Sequence, residues 1–210
     1  MVLKKGNKNL KKLKSIKIIP SYLVASIFIS FLVFFGTLSF LSSRENAQQA
    51  QVAVEIDQEQ AFIDKISAYA KVLQSEYGVL PSISIAQAIL ESNWGNSELS
   101  EKYNNFYGIK GSEEANTVLM NTKEFVDEEW IEINGRFRIY ESWQDSMNAH
   151  TKLFVEGTTW NPQQYAAVLA ADNYRDAAFA LQASGYATDP TYPEKLIELI
   201  QQYKLDQFDK

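Results

Sequence analysis

The sequence contains no cysteine and only one histidine, His150, among its 210 residues. Without cysteine there can be no disulfide framework and no thiolate zinc site. A single histidine also argues against a histidine-rich metal centre and against a Ser-His or Cys-His nucleophile. We therefore expect neither a metal nor another cofactor. His150 has apolar neighbours at helical spacing, and we interpret it as a structural residue.

Basic residues are scarce after the N-terminal segment. Seven lysines precede the first acidic residue, at positions 4, 5, 8, 11, 12, 14 and 17. The other 13 basic residues (20 − 7) stand against all 26 acidic residues from Arg44 onward, a net charge of −13. A region this acidic lacks the basic footprint of a nucleic-acid-binding domain. We therefore expect no nucleic-acid partner.

One long hydrophobic run follows the lysines, with no charged residue between Ile18 and Leu41. A helix that spans a bilayer needs about 20 apolar residues, whereas the apolar core of a cleavable signal peptide has roughly 7–15. The positive-inside rule places the lysine-rich flank in the cytoplasm. The sequence thus predicts a single transmembrane helix with the remaining chain outside the cell membrane.

This prediction divides the chain into a basic cytoplasmic head (1–17), a transmembrane signal-anchor (18–41), an extracellular linker (42–60) and one exported domain (61–210). The alternative is a long signal peptide cleaved near Ser42, in which case the domain is secreted.

Hydrophobic spacing in the exported domain predicts helices at 61–76, from Pro81 to about Gly95, and from Ser142, where Ser142 and Asp145 resemble a capping box. Between them, 118–126 and 130–140 are rich in β-branched and aromatic residues, which is typical of a β-hairpin. Three further helices are predicted at 162–170, 174–183 and 193–203. The fold class is therefore α+β, mainly α, with a small β-hairpin lobe between helical groups, as in lysozyme-like domains.

Glu91 is the first candidate for chemistry, in the segment ILESNWG. Apolar surroundings and the negative end of a helix dipole both disfavour an ionised carboxylate and so raise its pKa. A general acid that works near neutral pH needs such a pKa. The alternative is an ordinary surface glutamate at a helix end. Trp94 beside it fits either a core position or a platform for a sugar ring.

Three separated segments give this candidate a context: AQAILESNWGNSELSEKYNNFYGIKG, TKEFVDEEWIEINGRFRIYESWQDSMNAHTKLF and SGYATDPTYPEKLIELI. In this order they resemble glycoside hydrolase family 73, the cell-wall glucosaminidases that include many autolysins, over about residues 61–203. The resemblance implies a lysozyme-like fold and hydrolysis of the β-1,4 bond after N-acetylglucosamine in peptidoglycan. It also implies peptidoglycan glycan strands as the partner. We expect a monomer.

The resemblance places Glu91 at the family's general-acid position. A second family carboxylate lies in a T-x-E-[FY] strand motif, which corresponds here to Glu124. Asp127, Glu128 and Glu129 are neighbouring alternatives. The second carboxylate either activates a water in an inverting reaction or assists attack by the sugar's own 2-acetamido group. The sequence leaves both mechanisms open.

Further site residues also follow from the resemblance. Tyr186 of the YATDP motif is predicted to reach the catalytic cleft, and Tyr192 is the alternative ring. Asp189 is predicted to brace their loop. The predicted substrate-binding residues are Trp94, Asn105, Phe106, Tyr107, Asp189 and Tyr192.

Two alternative functions are a muramidase or lytic transglycosylase on the same fold, which cuts the alternate glycan bond, and a non-catalytic wall-binding module. The presence of both carboxylates disfavours the second.

Overall fold

A computed structural model describes the backbone of residues 21–126 and 129–209, and the side chains of residues 44–122 and 131–209. The predicted basic head at 1–17 lies outside the described residues, and only the backbone of the predicted span is described, from Ser21. Among the described residues, no helix is long and apolar enough to cross a membrane.

The chain divides into two units, one up to Val54 and one from Glu55 onward. In the first unit the described residues are helical. They belong to helix α1 (Ser21–Tyr77), which continues into the second unit. The stretch predicted as a linker, 42–60, is helical, and almost all of its described side chains are exposed.

The second unit is mainly helical with one small sheet, as predicted. After α1 come α2 (Pro81–Ser92), α3 (Glu98–Tyr103), β1 (Thr117–Val126), β2 (Glu129–Arg138), α4 (Trp143–Glu156), α5 (Ala166–Leu169), α6 (Tyr174–Ala183) and α7 (Tyr192–Tyr203), and a 3-10 turn at Leu205–Phe208 closes the fold.

Helix α2 lies at the centre of this unit. Ten of its residues are buried, and it packs against α6, α7 and the closing 3-10 turn. Its apolar residues and its small serines are enclosed together, as expected for a central helix with little charge. Its N-terminus is capped from the far end of the chain, because Asp209 accepts hydrogen bonds from the Ser82 backbone N–H (2.8 Å) and hydroxyl (2.7 Å). The carboxylate also complements the positive end of the helix dipole. Glu91 is thus carried by a buried helix whose N-terminus is held by the C-terminal segment of the chain.

Strands β1 and β2 form an antiparallel hairpin whose register runs from Thr117 opposite Arg138 to Val126 opposite Glu129. The predicted hairpin is confirmed, with boundaries shifted by one or two residues. Its base is anchored by Phe137, which is buried and closely approaches Gly135. Towards the tip, Ile131 and Ile133 are exposed at 40% and 38%.

The C-terminal helices agree with the prediction except for one. Helix α5 covers only Ala166–Leu169 instead of 162–170, because Thr158 and Asn161 form an isolated β-bridge and Asn161–Tyr165 continues as a turn. The capping box predicted at the start of α4 is present, with Ser142 and Asp145 bonded reciprocally. The short helix α3 was not predicted. Its signal is Ser97, whose hydroxyl caps the Ser100 N–H.

Candidate active site

Glu91 lies in the last turn of α2, and its side chain is exposed, whereas most of the helix is buried. Desolvation by the surrounding protein nevertheless raises the pKa of Glu91. The residue is exposed, yet enough protein surrounds its carboxyl group to disfavour the charged form. This is the setting in which a carboxyl stays protonated at a higher pH than usual.

Two buried side chains hold the Glu91 carboxyl. Gln87 donates through Nε2 to the Tyr192 hydroxyl (3.0 Å), and Tyr192 donates to Glu91 Oε1 (2.9 Å). Since the Gln87 amide occupies a lone pair of the Tyr192 oxygen, the tyrosine proton is directed at Glu91. Both Gln87 and Tyr192 are almost completely enclosed, at 0% and 4% exposure. The hydrogen bond from Tyr192 therefore fixes the orientation of the carboxyl group. It occupies Oε1 and leaves Oε2 available to a substrate.

Two interactions oppose the burial effect on Glu91. The hydrogen bond from Tyr192 and the positive charge of Lys195 both lower the pKa of Glu91, but desolvation is the larger influence and the net direction is upward. Lys195 is itself paired with Asp189 (2.5 Å). Desolvation therefore raises the pKa of Glu91, and two residues of α7, Tyr192 and Lys195, reduce the size of that shift.

The backbone just after Glu91 adopts an uncommon conformation. Asn93, Trp94 and Gly95 follow one another with φ of 51°, 60° and 76°. A bulky residue such as Trp94 is rarely found in this left-handed region, and it persists only where the surroundings enforce it. The Trp94 ring packs edge-on against Phe62 (6.1 Å between centroids) and Tyr203 (4.8 Å). These contacts make Trp94 an anchor for the turn, and its predicted role as a sugar platform stays a prediction.

Tyr186 lies beside the Gln87–Tyr192–Glu91 chain. Its ring centroid is 5.9 Å from that of Tyr192, and it also contacts the rings of His150 and Tyr165. Burial, with a contribution from the Glu91 charge, raises the pKa of both Tyr186 and Tyr192 well above the usual value. Both phenols are therefore neutral hydrogen-bond donors. Of the two rings, Tyr192 is the one bonded to Glu91.

The loop residues Asn105, Phe106 and Tyr107 lie below the surface, at 1%, 3% and 5% exposure. Asn105 uses its whole amide within the loop: it donates to the carbonyls of Ile109 and Arg138 and accepts from the Ile109 N–H. Tyr107 donates to the Ser84 carbonyl of α2. Asn105 thus joins the loop to the hairpin base and Tyr107 joins it to α2, while the sugar contacts predicted for the three residues stay a prediction.

Asp189 braces the loop before α7, as its position after YAT predicted. It accepts from the backbone N–H and the hydroxyl of Thr191 (2.8 Å each) and pairs with Lys195. These bonds lower the pKa of Asp189 to about 2. Asp189 therefore stays ionised and restrains the segment that begins with Tyr192, while its contact with substrate stays a prediction.

Glu124 belongs to β1, where its backbone pairs with Ile131 of β2. Its side chain is outside the described set, as is that of Glu129, and Asp127 and Glu128 lie outside the described backbone. The ladder places position 122 opposite Ile133 and position 124 opposite Ile131. Both isoleucines are exposed, so this end of the hairpin is open to solvent.

His150 is completely buried, with its ring stacked on Tyr107 at 3.8 Å between centroids. Burial lowers the pKa of His150 to about 3, so it is neutral at ordinary pH. This placement agrees with a structural role. Within the described part of the chain, no cluster of three or more His, Asp or Glu side chains is arranged to hold a metal ion.

Gln87 was not among the predicted site residues. Gln87 and Glu91 are four residues apart in AQAILES, so they share a face of α2. That spacing was the available signal. The partner that joins them, Tyr192, is more than a hundred residues away along the chain, which no local pattern reveals.

The sequence is similar to a known protein family and to individual bacterial cell-wall enzymes. Residues 67–205 match the family described as mannosyl-glycoprotein endo-beta-N-acetylglucosaminidase. The exo-glucosaminidase LytG of Bacillus subtilis (strain 168) is 45% identical over 201 residues, which cover 95% of this chain and 70% of LytG. A probable N-acetylmuramidase of Lactococcus lactis subsp. cremoris is 36% identical over 213 residues, and the chain spans 48% of its length.

A solved structure agrees with these relatives. The catalytic domain of the autolysin Auto from Listeria monocytogenes superposes with a TM-score of 0.66 at 42% identity, over 72% of this chain and 88% of that domain. The resemblance drawn from the three sequence segments is thereby confirmed. The family match covers well over half of the chain and includes Glu91, Glu124 and Tyr192. The chain belongs to the glucosaminidase family of glycoside hydrolases.

Proposed function

We propose that this protein is a cell-wall hydrolase that cleaves the β-1,4 bond after N-acetylglucosamine in peptidoglycan, with Glu91 as the general acid. The observation that carries the proposal is a carboxyl that is accessible to solvent, raised in pKa by dehydration and held by Tyr192. The name of LytG supports the glucosaminidase specificity, and that of the Lactococcus relatives makes muramidase activity the alternative.

In the proposed mechanism Glu91 protonates the glycosidic oxygen as the bond to the leaving sugar breaks. Because Tyr192 donates to Oε1, the proton of the neutral carboxyl resides on Oε2, which is free to face the substrate. Tyr192 then stabilises the carboxylate that forms, since a hydrogen bond to the charged form favours it. Tyr186, as a neutral donor beside Tyr192, orients either the attacking water or the 2-acetamido group.

Glu124 is our choice for the second carboxylate. Its place on β1, paired with the exposed Ile131, suits a group that acts across the cleft from α2. It activates the water in an inverting reaction or assists the acetamido group in a substrate-assisted one.

We also propose that residues 18–41 anchor the protein in the cell membrane with residues 61–210 outside it. The support is the uncharged run in the sequence and the seven lysines before it. Anchoring confines the hydrolase near its substrate and raises its effective concentration there.

One pair of proteins tests the specificity and the anchor: the full chain and a chain that starts at Glu55, which keeps the bond between Tyr203 and Glu59 (2.7 Å). Mass spectrometry of digested, purified walls should show reducing N-acetylglucosamine ends for both, and only the full chain should sediment with membranes. Reducing muramic ends would establish the muramidase alternative, and anhydromuramic ends a transglycosylase. A full chain that stays soluble would contradict the anchor.

The same digests separate two modes of cutting. The family description names an endo-acting enzyme, whereas LytG is named as exo-acting. We expect internal cleavage, seen as an early fall in mean strand length. Steady release of disaccharides from otherwise long strands would assign the exo mode instead.

Tyr192→Phe should move the alkaline limb of kcat/KM to higher pH and lower the rate at the optimum by about tenfold. The tyrosine hydrogen bond lowers the pKa of Glu91, so its loss raises that pKa and keeps the acid protonated further up the pH scale. A net hydrogen bond to a charged group is worth about 1.5 kcal/mol or more, or roughly tenfold. The measurement is a pH–rate profile on purified walls.

The matched control is Tyr203→Phe. It removes an equivalent tyrosine hydroxyl, which donates to the carboxylate of Glu59 and not to that of Glu91. Its profile should coincide with that of the parent. If Tyr192→Phe leaves the alkaline limb in place, Tyr192 does not act on Glu91 in the working enzyme.

A further inference from the structure

Trp160 is the most exposed of the large apolar side chains that the structure describes, at 79%. It lies between α4 and α5, and no aromatic contact accounts for its position. A tryptophan gains more from burial than almost any other side chain. The Trp160 ring therefore still has most of its apolar surface available for burial, which a ligand that stacks on it would supply.

The turn that carries Trp160 is rigid. Thr158 and Asn161 bond each other's backbone in both directions (3.0 and 3.1 Å), and the Thr158 hydroxyl donates to Gln164 (2.7 Å). Gly157 precedes the turn with φ 68° and ψ −149°, a region open essentially to glycine alone. A Cβ there would meet Asn161 and Pro162 backbone atoms at 2.5 Å. The uncommon backbone conformation of Gly157 and the hydrogen bonds of Thr158 together fix the conformation of this turn.

The turn is also tied to the active site. Gln164 donates through Nε2 to the carbonyl of Ser184 (2.9 Å), two residues before Tyr186. The next residue, Tyr165, contacts the Tyr186 ring with 6.2 Å between centroids. Trp160 is therefore held in a fixed relation to the loop that carries Tyr186 beside Tyr192.

The residues around Trp160 indicate which type of ligand would bind there. From Gly157 to Ala171 there is no charged residue, although the sequence as a whole is 22% charged. Around Trp160, the exposed side chains of Thr159, Asn161 and Gln163 offer hydroxyl and amide groups. An apolar ring flanked by neutral hydrogen-bonding groups fits the C–H face and the hydroxyls of a pyranose. It does not fit a phosphate-rich polymer or a charged protein surface.

We propose that Trp160 is a stacking platform for a sugar ring of the glycan strand, remote from the bond that is cut. This inference rests on the proposed function, because it assigns the platform to the same strand that Glu91 cleaves. A polymer needs contacts beyond the reacting bond to fix its register, and a rigid aromatic side chain supplies one at little entropic cost.

The test uses the full-length protein and soluble glycan strands freed of peptides. In the Glu91→Gln background, which binds without cutting, Trp160→Ala should raise the Kd for long strands about tenfold, the change that one aromatic contact typically gives. Trp160→Phe should lose less. Phe179→Ala, which truncates another half-exposed aromatic on α6, should bind like the parent. In the active enzyme, Trp160→Ala should lower kcat/KM for long strands and leave the shortest cleavable oligosaccharide unaffected, with an unchanged Tm.

The outcomes separate this platform from the proposed function. If the parent cuts long strands and Trp160→Ala binds and cuts them equally well, the platform is wrong and the hydrolase assignment stands. Equal losses on long and short substrates would also overturn it, since they would indicate a structural effect. A parent that neither binds nor cuts glycan would overturn the proposed function itself.

Discussion

Glu91→Gln should reduce the clearing of purified cell walls by about a thousandfold or more while the protein keeps its fold. General acid catalysis contributes about 10²–10⁴-fold to a rate, and the N–H groups of an amide are far too weakly acidic to protonate the glycosidic oxygen. The substitution preserves shape, and the glutamine carbonyl can still accept the hydrogen bond that Tyr192 donates to Oε1. The loss should therefore appear in kcat and not in the binding of glycan strands.

The Glu91→Gln substitution should also change how the stability of the protein depends on pH. In the folded protein the pKa of Glu91 is raised from 4.5, so the native state binds more protons than the unfolded state above about that pH. Stability then falls as the pH rises through the window between the two pKa values. Glutamine does not titrate, so Glu91→Gln should gain thermal stability relative to the parent as the pH is raised from about 4 to 7.

Glu156→Gln is the matched control for Glu91→Gln. Glu156 is also a glutamate in the last turn of a helix, α4, but it is exposed to solvent and lies on a different helix from Glu91. The control should clear walls at the parental rate and show no comparable pH-dependent gain in stability. Wall clearing by Glu91→Gln at the parental rate would refute the general-acid assignment.

Local sequence signals predicted most of the secondary structure. The capping box at Ser142, the alternation in the two strands and the Pro–Gly punctuation around α2 all act over a few residues, and the structure confirms each. The exception at α5 has the same kind of cause. The turn after Gly157 depends on one glycine conformation and on hydrogen bonds that the helical pattern does not reveal.

The pKa of Glu91 was predicted in direction, because burial and helix position can both be inferred from ILESNWG. Its partners could not be inferred, since Tyr192 reaches Glu91 only after α7 has packed against α2. The motif NNFYG shows the converse difficulty. The motif is joined to α2 through Tyr107, but the hydrogen bonds of Asn105 depend on how the loop closes over Ile109 and Arg138, which the motif does not reveal.

Trp160 illustrates a different limit. A tryptophan in a sequence is far more often a core residue than an exposed one, and Trp94 attracted attention only through its proximity to Glu91. The structure shows Trp94 packed on two rings and Trp160 in solvent. Exposure is a property of the folded surface, so residue type alone could not point to Trp160 as a second candidate for a sugar platform.

Glu124→Gln should lower hydrolysis by about a hundredfold or more if this carboxylate activates the attacking water. In that case the reaction inverts the anomeric centre and the two carboxyls are separated by roughly 6.5–9.5 Å. Proton NMR of the first products reports the anomer directly. A retained anomer together with a loss of about tenfold or less would instead assign the attack to the 2-acetamido group, with Glu124 in a supporting role.

The neighbours of Glu124 provide the controls for this experiment. Glu132→Gln changes a carboxylate on the adjacent strand, at the position paired with Lys123 and one step out of phase with position 124. Because side chains alternate between the faces of a strand, this variant should keep parental activity. Asp127→Asn, Glu128→Gln and Glu129→Gln test the three alternatives in turn. If one of them is inactive while Glu124→Gln is not, that residue is the second carboxylate, and Glu91 keeps its role with a different partner.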